Sequence, residues 1–506
     1  MKHRRALLLL VPLGLAAHPC ESCHPQEVAG YSHSSMARSL RRPGTEPGGT
    51  FTAAGSGTRF TIRSDSKGTW QRMERSGEVS EYLVEYVIGS GSHAAGYLIQ
   101  AGGHLFQSPV CYFTNRRAYD LAPGFERLPD PDFTRPVGEE CVLCHSGRPS
   151  HVSGTVNQYA RPAFAEEAIS CARCHGAAEE HLRRPVPGSI VNPAKLAPSA
   201  RDSICEQCHL AGVTRILNPG MDFDHYRPGQ RLEEVFTVYT RAGAHAFKVI
   251  SHAEQLALSA CARNSRGKLW CGTCHDPHPR SAPTLQTYSA RCQTCHQGKL
   301  PRSHPSATNC VSCHMTRRQA QDGGHTVFTD HRITKRPAPD EAGSPPEDLV
   351  AWREPEPAAR ARNLGLAYLN AGISSRSPAQ IVRGYRMLTE VQKAAPSDLG
   401  VLKGIGRALL LGKEPLEALK AFERVLQLEP NSATSEEDVG VASLESGQVE
   451  KAAVHLERAL ELDPLQMSAA TALQAVYRRQ GDNEKADALG DRMRRMLQSS
   501  PVKPGR

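Results

Sequence analysis

The sequence predicts a mostly α-helical chain in two parts: short helices and loops interrupted by a small antiparallel β insertion, then a C-terminal α-solenoid. Three observations predict it. The pattern Cys-x-x-Cys-His occurs seven times, all before residue 315, mostly at intervals too short for independent folds between copies. The one long gap between copies shows strand-like alternation with glycine turns. The last third of the chain repeats every 34 residues with helical leucine and alanine.

The chain opens with Lys2, Arg4 and Arg5, then ALLLLVPLGLAA, with Ala17 as a small-residue cleavage point. Residues 1–17 therefore read as a signal peptide. The apolar stretch is short for a bilayer span and contains Pro12, and no later segment approaches transmembrane length. Pro19 before Cys20 disfavours a lipoprotein signal. The expectation is an exported protein, periplasmic or otherwise, with no transmembrane segment. In an oxidising compartment free dithiols normally pair as disulfides, so each thiol pair needs another role.

The seven copies are Cys20, Cys23, His24; Cys141, Cys144, His145; Cys171, Cys174, His175; Cys205, Cys208, His209; Cys271, Cys274, His275; Cys292, Cys295, His296; and Cys310, Cys313, His314. Random placement would give on the order of 0.02 such matches. Two thiols so spaced can reach the two vinyl groups on one edge of a haem, and the adjacent histidine then falls under the ring. Zinc pairs close a tetrahedron and need no histidine fixed after the second cysteine. The expected cofactor is therefore haem c, seven groups covalently attached, with the fourteen cysteines as anchors and the seven histidines as iron ligands. The formal charge of +9 includes three basic residues of the expected signal, and two propionates per haem, partly offset by each ferric centre, would bring the rest near neutral, so nucleic acid is not an expected partner. Cys111 and Cys261 remain, either as a disulfide or as two buried thiols.

Each haem iron would need a sixth ligand. Candidates by local context are His33 (GYSHSSM), His181 (CHGAAEEH), His252 (ISHAEQL), His278 (CHDPH), His304, and His325 and His331 (GGHTVFTDHRI). His151, His225 and His245 are reserves, and Met36 and Met315 are possible thioether ligands. Between the first two copies, TRFTIRSD, TWQRMER, EYLVEYVIG and GYLIQAGGHLF place the β insertion at about residues 50–112.

CHGAAEEH, SHAEQL, CHDPH and FTDHRI resemble the multihaem cytochromes c related to the tetrahaem cytochrome of nitrifiers. Pentahaem nitrite reductase and hydroxylamine oxidoreductase belong to that superfamily. YVIGSG and the C-terminal repeats resemble exported members that fuse multihaem and tetratricopeptide (TPR) regions. The resemblance implies mostly bis-histidine haems stacked in close pairs and suited to electron transfer. It departs from the enzymes of the group. All seven copies end in histidine where a nitrite reductase has one lysine, the count is seven rather than eight, and no tyrosine is assigned to a crosslink.

The cytochrome region is expected over 18–332. Residues 333–357, with RPAPDEAGSPPEDLVAWREPEP, read as a proline-rich linker. Pro396, Pro430 and Pro464 are evenly spaced, as are Ala418, Ala452 and Ala486, while Gly406 and Gly440 hold matching positions. That places a TPR domain of four helix pairs at 358–498, before a tail at 499–506. Such a solenoid binds a protein or peptide in its groove, or caps the neighbouring domain. The function expected from the whole is electron transfer between redox protein partners, with repeats that dock a partner. The alternative is a multihaem oxidoreductase acting on a nitrogen or sulfur compound at one open haem.

Overall fold

A computed structural model describes residues 19–242, 246–297, 300, 304, 309–335 and 348–498. The expected signal segment, residues 336–347 of the expected linker, the tail and His245 lie outside the described residues.

Nine strands form one antiparallel sheet: β1 (Leu40–Arg41), β2 (Gly49–Thr52), β3 (Arg59–Asp65), β4 (Gly68–Arg75), β5 (Glu78–Ile88), β6 (Ala94–Ala101), β7 (His104–Phe113), β8 (Ala118–Leu121) and β9 (Arg135–Pro136). Strands β2 to β8 pair in sequence, β1 joins β5, and β9 joins β7. Alternation sets the inner face: Phe60 and Ile62 on β3, and Tyr82 and Val84 on β5, are buried in one core. Ser76 and Gly77 link β4 to β5 with both φ angles positive, as a two-residue turn matched to strand twist requires. The last strand curls back on the first. Tyr119 of β8 donates its hydroxyl to the Pro47 carbonyl at 2.6 Å. Its ring lies where a Cβ on Gly49 would come within 2.8 Å, which explains the glycine. The sheet is a nearly closed barrel.

This corrects the expectation of a mostly α chain with a small insertion at 50–112. The sheet runs from Leu40 to Pro136, and the chain is α plus β. Strands β1, β8 and β9 are two to four residues long. Alternation over so few residues cannot be read, and their pairing comes from the barrel itself.

Short helices follow around the Cys-x-x-Cys-His copies: α1 (Pro25–Ser32), α2 (Glu139–Val142), α3 (Ala172–His175), α4 (Glu179–Arg183), α5 (Pro198–His209), α6 (His252–Ala257), α7 (Ala260–Asn264), α8 (Cys271–Cys274), α9 (Leu285–His296) and α10 (Cys310–His314). Between them lie a hairpin of β10 (Arg148–His151) and β11 (Tyr159–Glu166), the pair β12 (Thr214–Leu217) and β13 (Phe236–Arg241), and a hairpin of β14 (Arg317–Gln319) and β15 (Val327–Thr329). Strand β16 (Leu349–Ala351), at the end of the expected linker, pairs with β13.

The C-terminal part is a stack of four helix pairs: α11 (Pro357–Ser375) with α12 (Pro378–Ala394), α13 (Leu399–Leu411) with α14 (Pro415–Leu428), α15 (Ala433–Glu445) with α16 (Val449–Leu462), and α17 (Met467–Arg479) with α18 (Asn483–Gln498). Small residues let the helices approach: Ala418, Ala452 and Ala486 are fully buried. A Cβ on Gly440 would meet Leu456 at 2.6 Å, and one on Gly406 would meet Phe422 at 2.5 Å. The stack is the TPR-like solenoid that the 34-residue period predicts.

Both ends of the solenoid are built into the rest of the chain. At its start, Ala367, Tyr368 and Ala371 of α11 share a core with Ile216, Tyr239 and Leu349. Arg362 donates to the Leu217 carbonyl at 2.7 Å, and Trp352 and Arg353 grip Glu206, inside the fourth Cys-x-x-Cys-His copy. At its end, Leu456, Leu465 and Leu497 belong to one apolar core with Phe60, Tyr97 and Phe106 of the barrel. Burying each such leucine contributes roughly 1.5–3 kcal/mol. Within this interface His104 Nε2 donates to Asp463 at 2.5 Å, with side chains 2% and 0% exposed.

Candidate functional site

One helical turn puts residues i, i+3 and i+4 on the same face, so each copy presents two thiols and an imidazole together. The turn is visible in the backbone: the His24, His175 and His275 amides donate to the carbonyls of Cys20, Cys171 and Cys271 at 2.8–2.9 Å. Copies four, six and seven close helices α5, α9 and α10.

Five of the seven sequence-predicted distal histidines meet a motif histidine. Ring centres are 6.3 Å apart for His24 and His181, 6.0 Å for His175 and His278, 6.1 Å for His275 and His331, and 6.0 Å for His304 and His314. His209 lies 5.1 Å from His252, which lies 4.9 Å from His331. Four imidazoles, His209, His252, His331 and His275, thus form a continuous row. Outer hydrogen bonds orient several rings. Nδ1 of His175 donates to the Val191 carbonyl, and Nδ1 of His314 to the Thr334 carbonyl, each at 2.8 Å.

Burial disfavours the charged form of several of these rings. It pushes His209 down to about 4 and His252 down to about 2, and neighbouring imidazoles add to both shifts. His275, His278 and His331 are lowered too, burial being the main cause.

His33 and His325 are not brought to a motif histidine. His325 packs on Phe113 and pairs with Asp120 at 3.0 Å, on the barrel, and His33 is exposed. Among the described residues no ring contact joins His145 or His296 to a second histidine. His145 is deeply buried with an unpartnered Nδ1. Of the reserves, His151 stacks on Tyr159 and His225 caps a local turn with Asp222.

Sequence reasoning missed the contacts between thiols of different copies. Cys144 meets Cys208, Cys205 meets Cys271, and Cys292 meets Cys310. The hydrogen bond from Cys208, with the Arg215 and Arg173 guanidinium groups, holds Cys144 below the usual thiol range, and Cys208 is raised in turn. Spacing along the chain carries no signal for such pairs. Cys111 and Cys261 lie on β7 and α7 as free cysteines, and burial pushes the Cys111 thiol up to about 12.

The expectation of seven haem c groups is corrected at this point. All sixteen cysteines are free thiols. Among the described residues no group of three or more His, Cys, Asp and Glu side chains stands together to hold a metal ion. The folded chain brings together imidazole pairs and thiol contacts. Among the described residues no helix is long and apolar enough to cross a membrane.

No protein-family model and no curated protein matches the chain. Among solved structures, a MamA RS-1 double mutant is similar at 22% identity over 28% of this chain and 75% of that one, with a TM-score of 0.25. MamA MSR-1 gives 21% identity over 28% and 77%, with a TM-score of 0.25. MamA 41-end from Desulfovibrio magneticus RS-1 gives 22% over 29% and 82%, again with 0.25. At these scores the assignment of the TPR-like solenoid rests on the chain's own 34-residue geometry.

Proposed function

We propose that the chain is an exported electron-transfer protein that exchanges electrons with redox protein partners and docks one of them on its helical repeats. The observation that carries this reading is the set of four imidazole pairs with ring centres 6.0–6.3 Å apart. In each pair one histidine closes a Cys-x-x-Cys-His turn, and the other arrives from outside that turn. Packing alone does not require such matches even once; beside the Cys-x-x-Cys turns they place imidazoles that can take the protons released when a dithiol closes to a disulfide. The groups that can carry the electrons are the Cys-x-x-Cys dithiols: as a pair closes to a disulfide it gives two electrons and two protons to an acceptor protein, and a donor protein returns them as the S–S bond reopens. The seven-haem count plays no part in this reading. On the solenoid, exposed Arg407 beside Glu437 and Asp438 offers a polar face for the docked partner.

Reductive titration of the full chain, purified from the periplasm of an expressing host, tests the proposal. The wild type is expected to take up and return reducing equivalents reversibly. His181→Ala and His278→Ala should each disturb one step, and His225→Ala none. A chain that takes up no equivalents, or paired-histidine variants that titrate as wild type, would sink it.

A further inference from the structure

The positive charge of the chain is concentrated in one stretch. Residues 260–335 hold eleven Lys and Arg against three Asp and Glu, nearly all of the net +9 of the whole molecule. Its described helices pack together: α8 packs on α9 and α9 on α10, while Cys274 lies close to Cys261 of α7 and Cys295 of α9. Among the described residues Arg263, Arg266, Lys268, Arg280 and Arg291 are exposed and form no ion pair. Of the three acids, Asp330 is buried against Arg318 and Arg332, which leaves Asp276 and Asp322 as the exposed carboxylates of the stretch. Copies six and seven come to the surface here, with Cys295, His296 and Cys313 exposed.

We propose that the surface formed by the described residues of 260–335 is the docking face for an acidic redox protein, which meets the chain beside copies six and seven. This deepens the electron-transfer reading and rests on it. Unpaired cations around an exposed redox-site segment attract and orient an anionic partner, and the effect weakens with salt. Lysines and arginines held in surface pairs elsewhere, such as Lys393 with Glu390 and Lys420 with Glu417, present no comparable field.

The test compares the full-length wild type with Arg263→Glu/Arg266→Glu/Lys268→Glu, and with the control Lys393→Glu/Lys420→Glu/Arg458→Glu, which changes net charge equally. The probe is poly-L-glutamate, with binding read by fluorescence anisotropy. The first variant is expected to weaken binding about 10-fold at low salt and the control by less than about 2-fold. The difference should close near 0.15 M salt, where the screening length falls to ~8 Å. Equal losses in both variants, or no binding by the wild type, overturn the docking face. The reductive titration described above reads the redox function without a partner, so failure there with selective binding here overturns only the electron-transfer reading.

Discussion

Replacing His104 by Ala probes the joint between barrel and solenoid most sharply. The residue opens β7, and its partner Asp463 lies 359 positions later, in the turn between α16 and α17. Asp463 is fully buried, its Oδ2 has no hydrogen-bond partner, and its other contact in the turn is the Leu465 amide at 3.3 Å. Removing the imidazole therefore leaves a carboxylate without a cross-interface donor. Breaking a buried pair from one side costs about 3–5 kcal/mol, far more than an exposed pair. At 1.4 kcal/mol per tenfold, the lower figure corresponds to about a 100-fold loss of amide protection. Hydrogen exchange read by mass spectrometry on peptides from β6–β7 and from α16–α17 should show that loss on both sides at once. His104→Ala/Asp463→Ala should lose less than the two single variants add up to, because no lone charge remains buried. A loss confined to the barrel peptides, or below about threefold, would refute the claim that the two units share one core.

Further outcomes follow from other contacts. Gly440→Ala should destabilise the chain by about 1–3 kcal/mol, seen as a lower melting midpoint, because the added methyl meets Leu456 and the backbone amide beside it. Burial raises Asp438 to about 6, so wild-type stability should fall as pH rises from about 3.8 through 6. Asp438→Asn should match the wild type near pH 3.5 and exceed it by about 2–3 kcal/mol at pH 7.5, read by denaturant midpoints across pH. Glu206→Ala should raise exchange in β16 and the first turn of α11, since Trp352 and Arg353 lose their shared acceptor. A fragment spanning 357–498 should be helical yet bind a hydrophobic dye and melt below the full chain, because α11 and α18 lose their apolar partners.

The repeats were legible because Pro430 and Pro464 end successive repeats at a fixed distance, and a one-dimensional stack needs only local contacts. The same holds for the thiol and imidazole turns, since one helical turn is written within five residues. Local context also picked out His181, His252, His278, His304 and His331, whose rings lie beside histidines of the Cys-x-x-Cys-His copies. His325 instead pairs with Asp120 on the barrel, and His33 is exposed. The docked solenoid was not legible at all. Leu465 and Leu497 look like ordinary repeat core residues, and nothing near His104 in sequence points to Asp463. The barrel was underestimated for a related reason, since its edge strands take their conformation from distant partners.

Film voltammetry of the intact wild-type chain adsorbed on a graphite electrode tests the central claim most directly. The account predicts reversible waves that persist over repeated cycles and that change in His181→Ala and His278→Ala but not in His225→Ala. A flat response, or a single irreversible wave of thiol oxidation that leaves the chain crosslinked, would contradict it.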